Sequence, residues 1–165
     1  MGDPKSQYLL YKNYSKAMYN IAIRFLNNKM DAEDVLQESF IKAFERIDEL
    51  SETKAFGSWL KRIVINNCLS LIRKKKIHFE DMDDDISEGL ADDGITVTVD
   101  PALVHSEIKK LPEGSRTVLI LYALEGYLHK EIAEMLGITE STSRTQYKRA
   151  LGLLNKSLKP SVYVN

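Results

Sequence analysis

Apolar residues in this chain return at steps of three and four along most of its length, and hardly anywhere at steps of two. A period near 3.6 lines such residues along one side of an α-helix, so the chain is constrained to helices that each bury a single stripe. Tyr8, Tyr11, Tyr14, Ala17, Met18, Ile21, Ala22 and Phe25 make the first stripe. "NNKMD" at 27–31 interrupts it, with Asp31 placed to cap a second helix whose stripe is Leu36, Phe40, Ala43, Phe44 and Ile47. After the polar "DELSETK", Phe56, Trp59, Leu60, Ile63 and Asn67 mark a third helix that ends in the basic run "RKKK" at 73–76. Trp59, spaced among apolar neighbours, is expected in the core. Helical periodicity resumes at 103–111, 115–124, 130–136 and 140–158, with Asp100-Pro101 marking a helix start. The alternating "ITVTV" at 95–99 is short and isolated. The expected fold class is all-α, with two small helical domains at 1–76 and 102–165 joined by a linker at 77–101.

The linker is defined by charge. Ten of the 24 acidic residues, and none of the 23 basic ones, fall between 77 and 108, so the rest of the chain carries an excess of nine basic residues. The formal net charge of −1 therefore hides two basic parts joined by an acidic, flexible tether. A hydrophobic content of 44% excludes wholesale disorder. The lone Cys68 has no disulfide partner and no secretory signal opens the chain, which points to a cytoplasmic location. No apolar run approaches the roughly 18 residues that a membrane span needs, so no direct membrane insertion is expected. "MGDPKS" fits a loose myristoylation pattern that nothing else in the chain supports.

The stretch at 130–151, "KEIAEMLGITESTSRTQYKRAL", has a helix-turn-helix layout. Ile132, Ala133 and Leu136 supply the inner side of a short helix, Gly137 stands where a left-handed turn residue is needed, and Thr139 or Ser141 caps the next helix. In that helix Ser143, Tyr147, Ala150, Leu151, Leu154 and Leu158 share an inward face. Arg144 with Lys148 and Thr145 with Arg149 form outward i,i+4 pairs. Five cations and one acid lie between 140 and 159. Arginine can hold guanine N7 and O6 together, while Lys, Ser and Thr reach phosphates or base edges. The other reading is a helical hairpin with ordinary surface cations.

Two stretches together resemble the extracytoplasmic-function sigma factors of bacteria. "DAEDVLQESFIKAF" (31–44) followed by "FGSWLKRIVINNCLSLIRKKK" (56–76) is similar to region 2 of that family. Residues 111–154, which contain the helix-turn-helix, are similar to region 4. The resemblance implies a non-enzymatic initiation factor that binds core RNA polymerase, recognises the −35 element of promoter DNA through region 4, and recognises and melts the −10 element through region 2. It implies an anti-sigma factor as a further partner. The alternative is a stand-alone helix-turn-helix regulator whose first domain senses, dimerises or binds a protein.

On this resemblance, Asp34, Gln37, Glu38 and Ile41, opposite the stripe of the second helix, match the face that docks on the polymerase clamp; without it, they read as a solvated acidic face. On the third helix, Ser58, Arg62, Ile65, Asn66, Leu69 and Arg73 fall outside the apolar stripe. Lys61, Arg62, Arg73 and Lys74 are candidates to hold phosphates of a separated strand, and Asn66 to bond an unstacked base. The family's base-gripping loop corresponds to 50–55. In region 4 the DNA contacts match Arg144, Thr145, Lys148 and Arg149, to which Lys130, Ser141 and Thr142 are added as candidates. Ser141 and Ser143 depart from the family, which often has Gly and a branched aliphatic residue there.

The acidic linker is either a solvating tether or a mimic of nucleic-acid phosphates. Asp81, Asp83 and Asp85 echo a calcium loop, but Ile86 and Asp92 stand where that loop needs Gly and Glu. His78, His105 and His129 are scattered singly and no Gly-rich phosphate loop is present. No catalytic residue, metal, cofactor or small-molecule substrate is expected.

Overall fold

Two adjacent asparagines set the geometry of the first domain. The computed structural model describes residues 3–50, 52, 55–75 and 100–158. Helix α1 (Pro4–Leu26) starts on Asp3, whose carboxylate accepts the Ser6 backbone N–H at 3.1 Å. Pro4 sits in the first turn, where its missing N–H costs nothing. The helix stops at Asn27, which adopts the left-handed conformation with φ of 50°. The Asn28 side chain then accepts the Asp31 backbone N–H at 3.1 Å and starts α2 (Lys29–Glu45). The cap is thus Asn28, because helix α2 begins two residues before Asp31. Asp31 lies within the first turn and pairs with Lys75. So short a connection lays α1 and α2 side by side as a helical hairpin.

A short 3₁₀ turn (Ile47–Glu49) follows α2, and α3 (Phe56–Lys74) packs against both earlier helices. Met18, Ile21, Ala22 and Phe25 of the first stripe are buried, whereas Tyr8, Tyr11 and Ala17 are exposed. Ala22, Ala32 and Ala43 are fully buried small residues that let the helices approach closely. Gly57 serves the same end: a Cβ there would lie 2.9 Å from the Tyr14 ring, which packs edge-on against Phe56.

The third helix corrects the sequence reading. Ile65 and Leu69, placed outside the stripe, are buried together with Leu60, Val64, Cys68 and Ile72, while Ile63 and Trp59 are only half-buried. Each helix of the domain touches two neighbours, and on α3 the buried residues spread over a wider arc than one stripe. Trp59 sits on the rim of that arc, 6.1 Å from the Phe56 ring. The Cys68 thiol is pushed up to about 12 by burial, so it is an inert core residue.

The second domain opens with α4 (Pro101–Lys110), capped by the Asp100 carboxylate on the Ala102 N–H at 2.9 Å. Helix α5 (Glu113–Leu119) continues into a wide π-type turn (Ile120–Leu124), and α6 (His129–Leu136) and α7 (Glu140–Leu158) follow. Ile108, Leu111, Leu119 and Ala150 form one buried cluster with Val104, Tyr147, Leu151 and Leu154 packed around them, and Val118, Ile120, Leu121, Ile132 and Leu136 are buried as well. Three observed starts (101, 113 and 129) lie one or two residues from those expected, within the usual fraying of helix ends. Residues 77–99 of the linker, with "ITVTV" and the calcium-like aspartates, and residues 51, 53 and 54 of the loop at 50–55 lie outside the described residues.

Trp59 is the chain's single tryptophan and lies in the first domain, so its fluorescence follows that domain. Asn28→Ala should lower the first domain's stability by about 1 kcal/mol, the usual loss of an N-cap, measured as an earlier urea midpoint in Trp59 emission. An unchanged midpoint would remove the capping role.

Candidate nucleic-acid and polymerase interfaces

The helix-turn-helix is set by backbone needs at its turn. Gly137 has φ of 68°, and the following Ile138 N–H donates back to the Ala133 carbonyl at 3.1 Å. Thr139 is the cap: its hydroxyl accepts the Thr142 backbone N–H at 3.0 Å. At the other end of α6, the Glu131 carboxylate accepts the Leu128 N–H at 2.7 Å.

These contacts fix which side of α7 faces outward. Ser141, Arg144, Thr145 and Lys148 follow an i, i+3, i+4, i+7 stripe, with Ser141, Arg144 and Lys148 exposed and Thr145 half-buried. Arg149 is half-buried beside them, and Lys130 is exposed near the start of α6. Arg144 pairs with Glu140 one turn earlier, both well exposed. Thr142 does not join this surface. It is buried, and its hydroxyl lies 2.8 Å from that of Thr139, so it belongs to the cap.

Behind the stripe the helix is more polar than its pattern suggests. Gln146 is buried and its side-chain oxygen accepts from the Ser115 hydroxyl of α5 at 2.7 Å. Ser143 is fully buried and its hydroxyl lies 2.9 Å from His129 Nδ1. Tyr122 stacks on the His129 ring at 4.2 Å, and Tyr147 meets it edge-on at 5.7 Å. Burial, and next the positive charge of Arg144, hold the His129 pKa below the ordinary imidazole value, with Glu140 opposing. Periodicity marked Ser143 and Tyr147 as inward but carried no signal that His129, 14 residues earlier, would be their partner.

In the first domain, Asp34, Gln37, Glu38 and Ile41 also fall at i, i+3, i+4 and i+7, and all four are exposed. Ile41 is 58% exposed and is the one large apolar side chain of these four positions. A chain of polar contacts runs inward from this face. Glu38 pairs with Lys42 at 2.6 Å, and Lys42 donates to Asn67 Oδ1 at 2.8 Å. Asn67 donates to the buried Ser39 hydroxyl at 2.8 Å, which donates to the Val35 carbonyl. On α3, Arg62, Asn66, Arg73 and Lys74 are exposed and Lys61 is half-buried. Arg62, Asn66 and Arg73 share one side, and Arg73 reaches the Ser70 hydroxyl at 3.2 Å. Among the described residues no cluster of His, Cys, Asp and Glu is arranged to hold a metal ion, and no helix is long and apolar enough to cross a membrane.

The chain thus carries a three-helix domain followed by a helix-turn-helix domain with an outward cationic stripe. Residues 10–77 match the model of Sigma-70 region 2, and residues 102–154 match that of Sigma-70 region 4. The chain is 31% identical over 159 residues to the ECF RNA polymerase sigma factor SigW of Bacillus subtilis, covering 88% of this chain and 85% of that protein. It is 29% identical over 172 residues to the RNA polymerase sigma-H factor of Pseudomonas aeruginosa, covering 96% of this chain and 89% of that one. The sigma factor RpoE of Bartonella quintana, solved in complex with the anti-sigma factor NepR, shares the fold with a TM-score of 0.56 at 21% identity, over 94% of this chain and 98% of that one. The chain belongs to the extracytoplasmic-function group of the sigma-70 family. It is a transcription initiation factor that directs RNA polymerase to promoters.

The buried His129 makes a pH prediction. A histidine with a lowered folded pKa stabilises the fold fully above 6.5, its ordinary value, and that stability is lost as pH falls from there through the folded value. Urea unfolding by circular dichroism, with the first domain followed separately by Trp59 emission, should show the second domain weakening below pH 6.5. The slope should approach 1.4 kcal/mol per pH unit at most, about one proton's worth. His129→Gln should flatten it; an equally steep slope in that variant would assign the effect elsewhere.

Proposed function

We propose that three surfaces divide the work of this sigma factor. The outer stripe of α7, made of Ser141, Arg144, Thr145, Lys148 and Arg149 with Lys130 from α6, reads the upstream promoter element. Lys61, Arg62, Asn66, Arg73 and Lys74 of α3 hold the downstream element, the cations on phosphates and Asn66 on a base. Asp34, Gln37, Glu38 and Ile41 of α2 dock on core RNA polymerase. The observation that carries the reading is the sorting of α7: its cations face water while Thr142, Ser143 and Gln146, interleaved with them, are buried.

The assignment of α2 rests on Ile41. A solvated acidic face does not need a large apolar residue at its end, whereas a protein-binding face does. These partners place the factor in the cytoplasm, where polymerase and chromosome are, and give it no catalytic step of its own. An anti-sigma factor is a further proposed partner, as its relative from Bartonella is held by one. The domains act as 1–76 and 102–165, with α4 beginning at Pro101 and the acidic segment 77–101 between them.

Run-off transcription with purified core polymerase tests the assignment. The parent chain should add promoter-specific initiation, which a stand-alone regulator would not. Gln37→Ala with Glu38→Arg should reduce association with core polymerase while Trp59 emission shows an intact first domain. Arg144→Ala with Lys148→Ala should leave that association intact, weaken upstream DNA binding, and lower its salt slope by roughly 1–2. Unchanged polymerase association in the first variant, or unchanged DNA affinity in the second, would overturn the respective surface.

A further inference from the structure

Resting on the reading of α7 as the upstream reader, we propose that the His129–Ser143 contact is a positioning device that sets the pose of α7 and thereby its base selectivity. Three parts of the second domain meet at the His129 ring. Tyr122 from the π-type turn covers one side, and α7 supplies Ser143 and, one turn later, Tyr147. Two anchors four residues apart on α7 fix both its position along its axis and its rotation about it. Ser143 precedes Arg144 directly, so the anchor lies one residue from the centre of the outward stripe.

The lever is short and steep. A rotation of α7 by about 20° carries a group at the helix rim, 5–6 Å from the axis, by roughly 2 Å. That displacement breaks a bidentate arginine–guanine contact, whose donors must lie within about 3.2 Å of their acceptors. Contacts to phosphates survive it, because a lysine or arginine tracks a point charge with its flexible stem. In this chain an apolar side chain at 143 would fill the same space but leave the buried His129 nitrogen without its partner. A hydrogen bond constrains both distance and angle. With Ser143 fully buried and His129 only 8% exposed, water cannot substitute for either partner.

The test compares Ser143→Val with Ser143→Thr, two side chains of one shape that differ in the hydroxyl. Each full-length chain, bound to core polymerase, is presented with a pool of DNA duplexes randomised across the upstream element. Selected and unselected duplexes are then compared for affinity at fixed salt. Ser143→Thr should keep the parent's ratio of selected to unselected affinity. Ser143→Val should lower that ratio roughly tenfold, the loss of one bidentate contact, while affinity for unselected DNA and its salt slope stay unchanged. His129→Gln should lower it as well, and adding Ser143→Val should then cost little more. A Ser143→Val chain that is less stable yet as selective as the parent would reduce the pair to a packing contact and overturn the proposal. A parent chain with no sequence preference would instead overturn the reader assignment beneath it.

Discussion

Each half of this sigma factor has to assemble a core from the inner sides of a few helices, and that constraint organises everything else. A domain of this size buries a smaller fraction of its surface than a large one, so apolar residues are concentrated where helices meet. They lie on arcs that face the neighbouring helices, and α3 carries the widest arc of the first domain. What remains on the outer sides is polar by default and available for partners. A few large apolar side chains, Met30, Leu128 and Ile41 among them, are nevertheless left in water.

How much could be read in advance follows from this. The faces of α1 and α2 are legible because their buried residues keep to one narrow arc, with Met18, Ile21, Ala22 and Phe25 at helical steps. The face of α3 was misread at Ile65 and Leu69 because a single stripe was assumed where packing required a double one. Asp31 was mistaken for a cap because Asn28, three residues earlier, has an equally suitable side chain, and only the backbone at Asn27 decides between them. The turn at Gly137 was legible, since few residues other than glycine adopt φ of 68° without cost.

The polar interior of the second domain was the least legible part. Ser115 with Gln146, His129 with Ser143, and Arg116 with the Leu111 carbonyl at 3.0 Å are long-range or cross-element pairs that leave no periodic trace. Buried polar groups of this kind add little net stability compared with apolar packing, but they penalise alternative arrangements in which a partner is lost. In the first domain the Lys42–Asn67–Ser39 chain between α2 and α3 is the same device. Of the candidate residues, only Thr142 turns inward, because capping requires its backbone at the turn.

If α7 reads DNA as proposed, the Glu140–Arg144 pair changes how that recognition is to be understood. Before DNA arrives, the arginine already has an acceptor on its own helix, and both groups are well solvated, so releasing it costs under about 1 kcal/mol. Binding is then an exchange of one acceptor for another, and selectivity lies in the difference between them. Phosphates and bases that merely equal the carboxylate gain nothing. Only an acceptor that engages both arms of the guanidinium offers more, so the protein's own glutamate acts as the standard against which each promoter is compared.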